Sequence, residues 1–127
     1  MVDTSKKSDL TAVKITKAES IIEKQNDIAQ ARELYKEVFE KLKEGGSGCI
    51  DDLIFLAGSV SNGDFLNDKQ WTREILGIAA STAEMSAQFY SISQAVVEFL
   101  NDKTWAKRIE EEGEGWENAE GDALSWR

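Results

Sequence analysis

Asp64 and Asp68 stand four residues apart in the glycine-containing segment SNGDFLND, a composition that could hold a cation. A calcium loop needs oxygen ligands at alternating positions and a bidentate glutamate at its end. The segment has neither, so it reads as a surface turn. Cys49, the only cysteine, follows the run GGSG at Gly45–Gly48, and a thiol at a helix start is acidified by the helix dipole. No second cysteine and no histidine exist to bridge or activate it, so a packing role is expected. GGSG would need a strand before it and Lys-Ser or Lys-Thr after it to cradle phosphate. It reads as a linker between helices. Missing histidine removes the commonest general base and the commonest metal ligand. The residue set points to no catalytic group, no metal and no cofactor: a protein that is not an enzyme.

A binding surface remains as the source of function, and charge bears on what it would bind. The 127 residues carry a formal net charge of −9. Residues 1–44 are balanced, whereas residues 110–127 hold seven acids against Arg127 alone. Nucleic-acid phosphate and anionic lipid require a surplus of lysine and arginine, so both are disfavoured, and a charged partner should be basic. In the tail EGEGWENAEGDALSWR, the apolar Trp116, Leu124 and Trp126 are set among acids and glycines. Two fates are open to it. The tail, residues 113–127, docks on a basic, apolar groove with Glu110, Glu111 and Glu112 beside it, or its rings fold back over the end of the last helix pair. Apolar runs such as LIFL at Leu53–Leu56 fall far short of the roughly 20 residues that cross a bilayer. No apolar core follows the lysines of MVDTSKKSDLT, so no secretory signal is read and a cytoplasmic setting is expected.

These surfaces need elements to carry them. The chain contains no proline, which lets helices run without interruption. Leu10, Val13, Ala18, Ile21 and Ile22 recur at helical spacing over Ser8–Gln25, with Ser8 as N-cap. Ile28, Ala31, Leu34, Tyr35, Val38, Phe39 and Leu42 make one apolar face over Asp27–Glu44. Asp27 with Gln30 resembles a capping box, and Gly45-Gly46 is a stop. Further helices are expected over Cys49–Ser61, Asp68–Thr82 and Ala87–Leu100. A sixth begins at Asp102 and ends at EEEGEG. Six helices joined by short turns make an all-α protein.

The phrase LNDKQW at Leu66–Trp71 returns as LNDKTW at Leu100–Trp105. An Asn or Asp at a helix start accepts hydrogen bonds from the free amides of the first turn. The tryptophan three positions after the Asp then enters the core at that turn. Trp71 and Trp105 could also serve as exposed stacking platforms, but their equivalence marks them as core anchors. NDIAQARELY at Asn26–Tyr35 aligns with NDKQWTREIL and NDKTWAKRIE, with Gln30 in the tryptophan's place. Arg32, Arg73 and Lys107 or Arg108 come next on one face. LIFLAGSV at Leu53–Val60 aligns with FYSISQAV at Phe89–Val96. The expected architecture is therefore antiparallel helix-pair repeats, over about 26–66 and 67–100. A capping helix precedes them, and another over 101–112 comes after. They stack as a short solenoid or form a compact bundle of about six helices.

DKTWAKR at Asp102–Arg108 and DKQWTRE at Asp68–Glu74 resemble a bacterial helical-repeat type, TPR-like or Sel1-like, built on an Asp-Lys-x-Trp-Ala core followed by Lys or Arg. The resemblance implies a scaffold or adaptor that binds a peptide or partner protein, and it transfers no catalytic residue. The alternative is a small acidic inhibitor of immunity type, blocking a basic partner through Glu110–Asp122. A carboxylate-based enzyme or metal protein would need facing acids in a pocket, and no in-register acidic pair lies on an apolar face.

Overall fold

A hydrophobic residue every three or four positions forces a helix to bury one stripe, and the second helix of this chain shows it most plainly. In the computed structural model, which describes residues 5–45 and 49–125, with side chains over 11–45 and 49–115, α2 spans Ile28–Glu44. It buries Ala31, Tyr35, Val38, Phe39 and Leu42. Around it lie α1 (Ser5–Gln25), α3 (Ile50–Ser61), α4 (Lys69–Thr82), α5 (Ser86–Leu100) and α6 (Lys103–Ser125). No strand occurs among the described residues. No described helix is long and apolar enough to cross a membrane.

One core runs through all six helices. Ile15 and Ala18 of α1, Tyr35 of α2, Leu53 and Leu56 of α3, Ile75 and Leu76 of α4, Ile92 and Val96 of α5, and Ile109 of α6 are all buried within it. Each large aliphatic side chain removed from water in this way stabilises the fold by about 1.5–3 kcal/mol before the entropy of ordering is charged against it. The most extensive helix–helix packing joins α5 to α6, α3 to α4 and α1 to α2. Each of these pairs is connected by an Asn-Asp step. The repeated phrase therefore joins the two helices of a pair, whereas the sequence pattern predicts it between one pair and the next.

Helix boundaries depart from expectation at both ends of the chain. Ser8 lies inside α1, which already begins at Ser5, so it is not the N-cap. At the other end α6 continues through the glycines of EEEGEG to Ser125. The reason is visible at Gly113, which is buried in the α5–α6 contact. A Cβ built there would stand 2.9 Å from Phe89 Cβ and 3.3 Å from a ring carbon of Tyr90. The glycine allows close approach of two helices instead of ending one.

Candidate functional site

Three corners of the backbone share one construction. Asn26, Asn67 and Asn101 have φ of 52°, 51° and 53°, the left-handed region that asparagine enters more readily than other side chains. Asn26 and Asn101 directly follow α1 and α5, and their amides donate to Ile22 O and Val97 O. Asn67 follows a turn in which Asp64 N donates to Asn62 Oδ1 at 2.9 Å. The next residue is then an N-cap each time. Asp27, Asp68 and Asp102 accept from the amides of Gln30, Trp71 and Trp105 at 3.1, 3.0 and 3.0 Å. The two residues divide the work: Asn reverses the chain and Asp starts the helix.

The arginines add a contact between neighbouring corners. Arg32 on α2 donates to Asp68 Oδ2 at 2.9 Å, and its guanidinium carbon lies 5.8 Å from the centre of the Trp71 ring. Arg73 on α4 donates to Asp102 Oδ2 at 2.7 Å and lies 4.9 Å from the Trp105 ring. Each arginine thus holds both the carboxylate and the aromatic ring at the start of the next even-numbered helix. The carboxyl groups of Asp68 and Asp102 are held below the usual carboxylate range, first by the amide of the tryptophan three positions on and then by the arginine. Trp71 packs edge-on against Tyr35 and Phe39, with centroids 6.4 and 5.9 Å away. It is half-buried, anchored on the core side and open on the other.

That open side is the floor of a depression of about 500 Å³ between α2 and α4. Arg32, Lys36 and Glu40 form one wall, Gln70 and Glu74 the other, and Phe39 and Trp71 the apolar base. Charges of both signs therefore surround a half-buried ring. Beneath it, Tyr35 Oη and Ser59 Oγ are 2.7 Å apart, and Ser59 donates to Glu19 Oε2 at 2.6 Å. The network ties α1, α2 and α3 together. Burial pushes the Tyr35 phenol up to about 12, with the Glu19 charge acting in the same sense and the Ser59 hydrogen bond against it.

The residues singled out from sequence fall in several places. Asp64 is exposed in its turn, and the Asp68 carboxylate is engaged by Arg32 and the Trp71 amide, so the two do not form a cation loop. Among the described residues no group of three or more His, Cys, Asp or Glu is placed to hold a metal. Cys49 precedes α3, makes no side-chain cap, and sits so close to Gly45 that a Cβ there would collide with its sulfur. Glu110, Glu111 and Glu112 are exposed on α6, and Glu110 accepts from Ser93 at 3.1 Å. Trp116 and Leu124 lie on the backbone of α6, but their side chains, and Trp126 altogether, lie outside the described residues. The arginine bridges escape sequence reading, although Arg32 and Arg73 share a face in the aligned copies. The available signal is an Arg five positions after an Asp, with a second Asp in the next copy. Compared with protein-family models, with curated proteins and with solved structures, the chain matches none.

Proposed function

We propose that the chain is a non-catalytic protein-binding module, a stack of helix-pair repeats of adaptor or scaffold type that receives a peptide or partner protein on the face formed by α2 and α4. The observation that carries this reading is the depression floored by Trp71 and Phe39 and walled by charges of both signs. A half-buried tryptophan surrounded by polar groups is the kind of residue on which binding energy concentrates in protein interfaces. The resemblance of DKQWTRE and DKTWAKR to TPR-like and Sel1-like repeats agrees with such a role.

A second reading draws on α6. Glu110, Glu111, Glu112 and Glu114 are exposed on a helix that continues to Ser125, which gives an acidic inhibitor a rigid surface to offer a basic partner. Affinity capture with three forms of the full chain separates the two. The double variant Lys36→Glu with Glu74→Lys alters only the walls of the α2–α4 depression. The triple variant Glu111→Lys, Glu112→Lys, Glu114→Lys alters only the acidic helix. Loss of a retained protein with the first variant alone supports the depression, and loss with the second alone supports the acidic helix. No protein retained specifically by the unaltered chain contradicts both.

A further inference from the structure

The start of α6 rebuilds against α4 what the start of α4 builds against α2. Trp105 is half-buried like Trp71, Thr104 and Arg108 stand exposed where Gln70 and Glu74 stand, and Arg73 lies over the Trp105 ring as Arg32 lies over Trp71. The two places differ in the charge left over. Around Trp71, Arg32 is engaged by Asp68, Lys36 by Glu33 and Glu40 by Lys43, whereas Glu74 enters no ion pair among the described residues. Around Trp105, Arg73 is engaged by Asp102, whereas Arg108 enters no ion pair among the described residues. Arg108 also opens, with Lys103 and Lys107, onto a depression of about 380 Å³ in which Glu111 is the one acid among the lining residues. An uncompensated carboxylate thus stands beside the first ring and a surplus of positive charge beside the second.

We propose that α2, α4 and α6 present one continuous docking surface for an extended, proline-rich segment of a partner protein. Two apolar side chains three residues apart rest on Trp71 and Trp105, with a basic residue next to the first and an acidic residue next to the second. Charge complementarity sets the flanking residues, and spacing sets the conformation. Packed helices lie about 8–10 Å apart, which is the step from one ring to the next. A polyproline II segment brings residues i and i+3 to the same side about 9 Å apart. A β-strand offers about 7 Å at i+2 or about 13 Å at i+4, and neither matches. An α-helix reaches about 10 Å with i and i+7, but its i+3 and i+4 side chains would press on Arg73 and Glu74, the exposed charges of α4 between the two rings. Proline and the residue before it are already extended, so little entropy is lost on docking against aromatic rings. The proposal rests on the protein-binding reading of the α2–α4 face and extends that face to α6.

The test is an NMR titration of the isotopically labelled full chain with the synthetic peptide Lys-Leu-Pro-Pro-Leu-Asp. It is read at the indole N–H signals of Trp71 and Trp105, which the variants Trp71→Phe and Trp105→Phe assign. Both signals should move along one saturation curve. Affinity should fall about three- to tenfold with Glu74→Lys, where a repulsion replaces an exposed pair, and should recover on that variant with Asp-Leu-Pro-Pro-Leu-Asp. A third proline between the leucines should uncouple the two signals. Movement of Trp71 alone would overturn the continuous surface while leaving the α2–α4 reading standing. Movement of neither would overturn it as well, and affinity capture then decides that reading by itself. Joint movement with a helical peptide bearing leucines seven positions apart, and none with the proline peptide, would assign the surface to a helix and contradict the extended occupant.

Discussion

At the scale of single residues, the paired letters Asn-Asp hide two unlike requirements. Asn101 must turn the backbone to a φ of 53°, and Asp102 must accept from the Trp105 amide. Asn101→Gly should be nearly neutral in thermal unfolding, whereas Asn101→Val should cost about 1–2 kcal/mol, the strain of a left-handed branched residue. Asp68→Ala removes a cap and should cost about 1 kcal/mol in the same measurement. Tyr35 gives a prediction in pH. Its phenol ionises near 10.0 in the unfolded chain and near 12 in the fold, so the fold favours the neutral form. Its contribution to stability is complete below pH 10 and is lost as pH rises from there through about 12. Denaturant titrations across that window should show a steeper loss for the native chain than for Tyr35→Phe. Equal slopes would mean that Tyr35 is not held neutral by burial.

Among the elements, α2 through α5 are legible in the sequence because their apolar residues keep helical spacing. The ends are not. A glycine read along the chain is a helix breaker, and only the distance to Phe89 shows Gly113 to be a packing residue. Gly115, with nothing within 4 Å of a built Cβ, shows the contrast. Gly115→Ala should stabilise the protein by about 0.5–1 kcal/mol through helix propensity alone. Gly113→Ala should instead destabilise it by about 1–3 kcal/mol, because the methyl group forces α5 and α6 apart. Opposite signs in chemical unfolding are the expected result; stabilisation by both would contradict the close α5–α6 contact. The pairing phase is hidden for a related reason. Matching segments recur whichever helix is taken as first, and only tertiary packing shows that Asn-Asp lies within a pair.

Across the whole molecule, the candidate binding face is partly legible. Trp71 and Arg32 are visible as recurring letters, and the recurrence predicts a core anchor at the tryptophan. It is an anchor on one side and the floor of an open depression on the other. Sequence could not show this, because Asp68 and Arg32 are 36 residues apart and meet only when α4 is laid beside α2. That bridge is half-exposed, so a double-mutant cycle over Arg32→Ala and Asp68→Ala should return a coupling of only about 0.2–1 kcal/mol, weakened by salt. Its expected role is to tie the start of α4 to α2 at one edge of the depression. A coupling of zero would remove that role.

The binding role itself is tested most directly by a photo-crosslinking amino acid placed at Gln70, on the lip of the depression, and in a second protein at Thr16, exposed on α1 away from it. Both forms are irradiated in cells of the source organism. A protein-binding face between α2 and α4 predicts one discrete adduct from position 70, missing from position 16 and lost when Lys36→Glu and Glu74→Lys are added. The same adducts from both positions, or none from position 70, would contradict it.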